Sequence, residues 1–156
     1  MSSVNWRRIL ATTDFSPFGN KGVQCAHELA EKFGAELHVL TIVENADVAA
    51  RQGGATGLLE PADDSDERWR WLSQLHGETG KVIRTDAVLI GKNVPEKIAH
   101  YAQKHDIDLI VMASHGRTGI KHALLGSVTE KVIRSVHCPV LVLRPTPADA
   151  AGASSK

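Results

Sequence analysis

The stretch that decides the fold runs from residue 109 to residue 127 and reads LIVMASHGRTGIKHALLGS. Its first four residues, Leu109, Ile110, Val111 and Met112, are apolar without alternation. A strand of that kind is covered on both faces, which is the habit of parallel sheets, and the pattern predicts a central position for it. The residues that follow, 113–127, contain three glycines, Gly116, Gly119 and Gly126, and the last is followed at once by Ser127. A loop so rich in hydrogen-bond donors, set directly after the most apolar strand, predicts an anion contact at the carboxyl end of a sheet.

Working outward, strand and helix patterns alternate along the whole chain. Residues 9–13, ILATT, read as a first strand. Ser16-Pro17 supplies a helix cap with proline in the tolerated first turn. Val23, Ala26, Leu29, Ala30 and Phe33 then recur at helical spacing until Gly34 stops the helix. Glu36–Val43, ELHVLTIV, has apolar residues on both parities and reads as a second buried strand. Residues 44–66 are rich in glycine and acids and read as a long exposed loop; Trp69, Leu72, Leu75 and His76 then mark a short helix. Residues 82–90 form a predicted third strand. Asn93-Val94-Pro95-Glu96 starts a helix with Ile98, Tyr101, Ala102 and His105 on one side. Ser127 is expected to open the last major helix, with Val128, Val132, Ile133 and Val136 inward. Val140–Leu143 is the expected fifth strand, at a sheet edge, and the polar stretch 146–156 a disordered tail. Trp6 and Trp71 receive no place in this scheme. Alternation of this kind calls for an α/β sandwich around a five-stranded, mostly parallel sheet with helices on both faces.

Composition narrows the function classes. The chain has 156 residues, balanced by 18 basic and 18 acidic side chains. A protein whose main work is gripping nucleic acid wants a basic face, so no nucleic acid is expected as a partner. No apolar run approaches the roughly 20 residues of a membrane helix, and the N-terminus lacks a signal-peptide pattern, so the expectation is a cytoplasmic protein without membrane contact. Cys25 and Cys138 lie far apart and lack zinc spacing, which predicts reduced, buried thiols.

The glycine-rich loop is neither a Walker loop nor a G-x-G-x-x-G fingerprint. Ser127-Val128-Thr129-Glu130 instead reads as S-x-x-E, a capping box at a helix start. Helix starts present amides that no carbonyl within the helix satisfies, and together with the helix dipole these attract anions. Gly116 and Gly126 would leave the backbone reachable from two sides. Ser127 has one hydroxyl for two tasks, capping its helix or meeting the anion. His115 is expected to have a backbone partner. Arg117 and Lys121 are open between phosphate contact and solvent. Ser127, His115 and Asp14 do not suggest a hydrolase triad, because the strand–turn–helix elbow of G-x-S-x-G type is missing.

The same stretch resembles the nucleotide loop of the universal stress protein family, whose ATP-binding members carry G-2x-G-9x-G-[S/T]. Gly116, Gly126 and Ser127 match the second, third and last positions, while Ala113 stands where the first glycine belongs. If that position needed a positive φ, alanine there would cost roughly 1–2 kcal/mol. If it sits in ordinary strand geometry, the cost is small. The similarity extends from about Arg7 to Arg144, through ILATTDFS, DLIVMASHGRTG and LLGSVTEKVIRSVHCPVLVL. It implies one domain over residues 1–145 with a Rossmann-like three-layer sandwich of the adenine nucleotide alpha hydrolase-like kind. It also implies that Asp14 and the backbones of Thr12 and Ile42 line adenine and ribose, with Thr13 and Met112 beside them. The phosphates would meet Gly116, Gly126, Ser127 and the amide of Val128, flanked by Ala113, His115 and Arg117. The ligand implied is ATP or AMP, with Mg²⁺ held through the phosphates, in a protein of the stress response with slow or absent hydrolysis. The family resemblance further implies a homodimer through the edge strand Val140–Leu143. A nucleotide-independent interaction module of the same fold is the alternative. A nucleotidyl transferase is disfavoured, because an H-x-G-H signature is missing.

Overall fold

A computed structural model describes residues 4–44, 70, 72, 74–75, 81–115 and 125–152. The elements in chain order are β1 (Arg8–Thr12), α1 (Pro17–Phe33), β2 (Glu36–Val43), β3 (Arg84–Ile90), α2 (Val94–Lys104), β4 (Leu109–Ala113), α3 (Ser127–Ser135), β5 (Val140–Leu143) and α4 (Pro147–Gly152). The strands form one sheet in the order β3-β2-β1-β4-β5, and every pairing is parallel. The chain leaves β1, builds outward through β2 to β3, then crosses back to add β4 and β5 on the other flank of β1. The order of building therefore reverses between β1 and β4.

Alternation along each strand divides the core in two. Ile9, Ala11, Leu37, Val39, Val88, Leu109 and Val111 face α1, whose Val23, Ala26 and Ala30 are buried against them, and Leu72 joins the same cluster. Leu10, Leu40, Ala87, Ile110 and Met112 face the opposite way, onto Ile98, Tyr101 and Ala102 of α2 and Val132 of α3. Both parities are apolar because both faces are roofed by helices. Gly22 allows α1 to lie close on β4, where an added Cβ would come 3.7 Å from the Ala113 amide nitrogen.

Local signals fix the ends of α1. Ser16 Oγ accepts from the Gly19 amide at 3.0 Å, and Gly34 takes φ +64° as its C-cap. Other expectations are corrected. The first strand is Arg8–Thr12 rather than 9–13: its pairing with β2 opens at Arg8 opposite Glu36 and closes at Thr12 opposite Leu40, where the Thr13 amide donates the last rung to Leu40 O at 3.0 Å. The third begins at Arg84 rather than at residue 82, because β2 offers its first partner there, Leu37 opposite Arg84; Ile83 is 73% exposed. Ile133, expected inward, is 42% exposed. The inward face of α3 is set by Thr129 and Val132, with Val128 and Val136 at its margins. The tail expected to be disordered forms helix α4, where Asp149 Oδ2 accepts from the Thr146 amide and hydroxyl, both at 2.8 Å, and Asp149 pairs with Lys21 of α1. Residues 153–156 lie outside the described residues.

Trp6 has its place on Phe33, edge to face at 4.8 Å between ring centroids. Arg70, Leu72 and Gln74 are helical as expected. Trp69, Trp71, His76 and loop residues 45–66 lie outside the described residues. Cys25 and Cys138 are free thiols, half-buried rather than buried, and burial pushes the pKa of both up.

Candidate functional site

At the carboxyl end of β1 the chain makes a tight, internally bonded turn. Thr13 Oγ1 donates to Asn20 Oδ1 at 2.9 Å and accepts from the Phe15 amide at 3.0 Å. Asp14 Oδ1 accepts from the Ser16 amide at 2.9 Å. Between these brackets Phe15 takes φ +62°, a conformation that costs a non-glycine residue of order 1 kcal/mol. Packing of its ring against the first core cluster helps to hold that geometry. The turn sets Asp14 beside Gly19, where even an added Cβ would come within 2.7 Å of the carboxylate. Asp14 is thus a turn-capping side chain and a cavity-lining one at once.

At the end of β4 the geometry is different. Ala113 closes the strand without a positive φ, so the alanine at the first glycine position carries no backbone strain. Ser114 is fully buried, and its carbonyl accepts from the Gly126 amide at 2.7 Å. This closes the base of the glycine-rich loop. A Cβ on Gly126 would sit 2.8 Å from that same carbonyl, so the bare backbone at this position is required by the chain's own close approach. The Ser114 hydroxyl lies 2.8 Å from Nδ1 of His115.

Helix α3 does not start as the S-x-x-E pattern predicts. Gly126, in extended geometry at φ −68° and ψ 153°, is the N-cap, and no side chain caps the helix. Ser127 is the first helical residue, one position too late for its hydroxyl to reach back. The Glu130 amide is satisfied by Gly126 O at 3.0 Å, which leaves the expected capping box no donor to bind. Among the described residues, the amides of Ser127, Val128 and Thr129 have no acceptor. The start of α3 is instead tied down from inside. Thr129 Oγ1, buried, donates to Ala113 O at 3.1 Å and lies 3.5 Å from Ser114 O. The helix is pinned to β4 while its first amides find no acceptor among the described residues.

These two ends enclose one cavity of about 340 Å³ at the β1/β4 reversal. Such a reversal is the usual ligand position in open parallel sheets. Thr12, Thr13, Asp14, Ile42, Met112, Ala113, His115, Gly126, Ser127 and Val128 all line it. Gly116 and Arg117 lie outside the described residues, as do Gly119 and Lys121. The apolar wall is built by Leu40, Ile42 and Met112 from the sheet and by Val94 and Ile98 from α2; the polar wall comprises Asp14, Glu44, Ser114, His115 and the start of α3. Sequence reasoning missed Gly19, Leu40, Val94, Ile98, Ser114 and Thr129, while Glu44 lies where the sequence places a strand-end loop facing the ligand position. Val94 and Ile98 repeat at i, i+4 on the inward face of a recognised helix, a signal that could have placed them. Thr129 sat inside the S-x-x-E pattern with no signal for its inward turn. The arrangement offers an apolar slot at one side, carboxylates at the β1 and β2 ends, and an array of backbone donors at the other side.

Comparison with known proteins agrees with the fold. The model of the universal stress protein family matches residues 5–144. Universal stress protein MJ0531 of Methanocaldococcus jannaschii is 32% identical over 143 residues, covering 89% of this chain and 82% of the relative. The solved structure of protein MJ0577, from the same organism, superposes with a TM-score of 0.73 at 25% identity, over 92% of this chain and 99% of its own. Two more distant structures share the fold. A universal stress protein in complex with cAMP has a TM-score of 0.61 at 21% identity, over 90% of this chain and 98% of its own. One from Archaeoglobus fulgidus in complex with dAMP has a TM-score of 0.56 at 19% identity, over 89% and 98%. With the matched region running from the first strand through the last, this chain belongs to the universal stress protein family.

Proposed function

We propose that this protein binds an adenine nucleotide, ATP or AMP, in the cavity at the β1/β4 reversal and acts as a nucleotide-responsive regulator in the stress response. The observation that carries the proposal is the start of α3. Three amides face no acceptor among the described residues, beside a cavity whose opposite wall is apolar. Phosphate oxygens suit the amides and the helix dipole, and the base suits the slot between Ile42, Met112, Val94 and Ile98. Asp14 accepts from ribose hydroxyls, and the backbones of Thr12 and Ile42 border the base. Gly116, which matches the second glycine of the family motif, joins the phosphate contacts, with Arg117 next to it in sequence. Relatives crystallised with cAMP and dAMP support adenine as the base. Mg²⁺ enters with the phosphates, near the Asp14 and Glu44 carboxylates. Turnover is slow or absent, and the protein works by binding. A single domain over residues 1–145 and a cytoplasmic setting belong to the same proposal. Among the described residues, no helix is long and apolar enough to cross a membrane. Strand β5 is a sheet edge with Leu141 39% exposed, and an apolar edge strand favours pairing with a second copy. A monomer by light scattering at micromolar concentration would refute that dimer.

The test uses the backbone itself. Gly126 already holds the extended geometry preferred before proline, and proline is tolerated at the first helical position. Ser127→Pro therefore removes one amide and one hydroxyl without breaking the helix. A hydrogen bond to a charged group contributes about 1.5–3 kcal/mol, so calorimetry with ATP should show a loss of roughly ten- to a hundred-fold in affinity at unchanged Tm. Unchanged affinity in Ser127→Pro, or no heat from the wild-type protein at millimolar ATP, overturns the reading. The second outcome leaves the interaction module.

A further inference from the structure

The same β2–α2 interface that walls the cavity carries, at its other end, a stack of ionisable rings, with His38 and Tyr101 buried and His105 half-buried. His38, Leu40 and Ile42 lie on one face of β2; Val94, Ile98, Tyr101 and His105 lie along the facing side of α2 and its C-cap. Leu40, Ile42, Val94 and Ile98 line the cavity. His38 and His105 do not line it. They sit with Tyr101 as a three-ring cluster. Tyr101 stacks on His105 at 4.2 Å between centroids, His38 meets Tyr101 edge-on at 5.8 Å, and the two imidazoles are 5.5 Å apart.

The Tyr101 hydroxyl lies 3.0 Å from Nδ1 of His38. Burial, reinforced by the negative charge of Glu36 and Asp86, pushes the Tyr101 pKa up to about 12, so its hydroxyl keeps its proton and donates it to Nδ1. Neutral His38 then carries its own proton on Nε2, which faces Glu36 Oε1 at 3.4 Å, beyond the length of a good hydrogen bond. Neither Nε2, of His38 or of His105, has a hydrogen-bond partner among the described residues, and both are buried.

We propose that the His38–Tyr101–His105 stack is an acid-sensitive latch: protonation of its imidazoles loosens α2 from β2 and so weakens ligand binding at the far end of the same interface. This regulation rests on the nucleotide reading above for its ligand, while the latch itself does not.

The charges around the stack set its direction. From β1 comes Arg8, from β2 Glu36, from β3 Asp86, and from the end of α2 Lys104 and Asp106 beside His105. Glu36 would welcome a proton on His38, but Arg8 already pairs with it at 3.8 Å, and with Asp106 at 3.7 Å. Desolvation prevails. Burial lowers the pKa of His38, opposed by Glu36 and assisted by His105 and Arg8. It lowers that of His105 as well, assisted by Lys104. A histidine whose folded pKa lies below its unfolded value of about 6.5 favours the folded state fully above 6.5. That contribution is lost as pH falls from there through the folded value. Acid therefore opens the latch, and bound ligand, by reciprocity, further lowers both values.

The experiment compares wild type with a His38→Gln/His105→Phe double variant, which keeps a partner for the Tyr101 hydroxyl and a ring for the stack. Without nucleotide, the fall in Tm between pH 7.5 and 5.5 should be greater in wild type by at least about 3 °C. Equal falls overturn the latch. Should the variant not fold, ¹H NMR titration of the wild-type imidazoles decides: both must titrate below 6.5, and either one at or above it overturns the proposal. With ATP, the Kd of wild type should weaken several-fold more than that of the variant over the same pH range. Equal weakening overturns the coupling to the cavity. Absence of ATP binding at any pH instead indicts the nucleotide reading and leaves the melting comparison to judge the latch.

Discussion

Helices α1 and α3 begin with similar local sequence, Ser16-Pro17 in one and Gly126-Ser127 in the other, yet they end up in opposite states. At α1 the serine stands one residue before the helix, its hydroxyl takes the Gly19 amide, and Asp14 takes the amide of Ser16 itself. That helix start is closed by its own side chains. At α3 the serine stands one residue later, inside the helix, and glycine occupies the cap. That start is pinned by Thr129 from below and left open above. A displacement of one residue separates a helix start capped by its own side chain from one that no side chain caps.

Three substitutions probe that contrast, two of them in stability. The largest stability effect is expected from Gly126→Ala, which puts a methyl 2.8 Å from the Ser114 carbonyl. Overpacking of this kind costs about 1–3 kcal/mol, so differential scanning calorimetry should show Tm lower by roughly 2–12 °C, with nucleotide affinity reduced as the start of α3 shifts. An unchanged Tm would mean that the approach of Gly126 to Ser114 is not tight. Ser127→Pro comes between, reading almost wholly in affinity. The smallest is Ser16→Ala, which removes a satisfied cap at a cost of about 1 kcal/mol, or roughly 2–4 °C in Tm, while ATP affinity stays within about two-fold. A large loss of affinity there would erase the distinction between the two helix starts.

Residues near one another in sequence were the legible part of this molecule. Strand β2 was expected at Glu36–Val43 and is found there, because apolar residues on both parities between turn signals admit little else. Ser16-Pro17 and Gly34 bound α1 as read, since cap and stop act through their own backbone. Ile133 misled because one apolar residue at helical spacing says nothing of which side the neighbouring helix covers, and Thr129 won the inward position by reaching Ala113 O. The S-x-x-E pattern misled for a related reason. Whether Ser127 caps or enters the helix depends on where the Ser114 carbonyl holds Gly126. The cavity followed the same division. Residues at the carboxyl ends of the first and fourth strands were named beforehand, whereas Leu40, Val94 and Ile98 reach it only through α2 packing on β2.

The amino-acid sequence by itself determined the alternation of elements, the double burial of the strands and the chemical character of the glycine-rich loop, because these follow from hydrophobic period and backbone freedom within short windows. Tertiary structure alone decided which amides find no acceptor among the described residues and which imidazoles were brought together. Both depend on carbonyls and rings brought close from distant points of the chain, and a few tenths of an ångström at such contacts selects one arrangement over another.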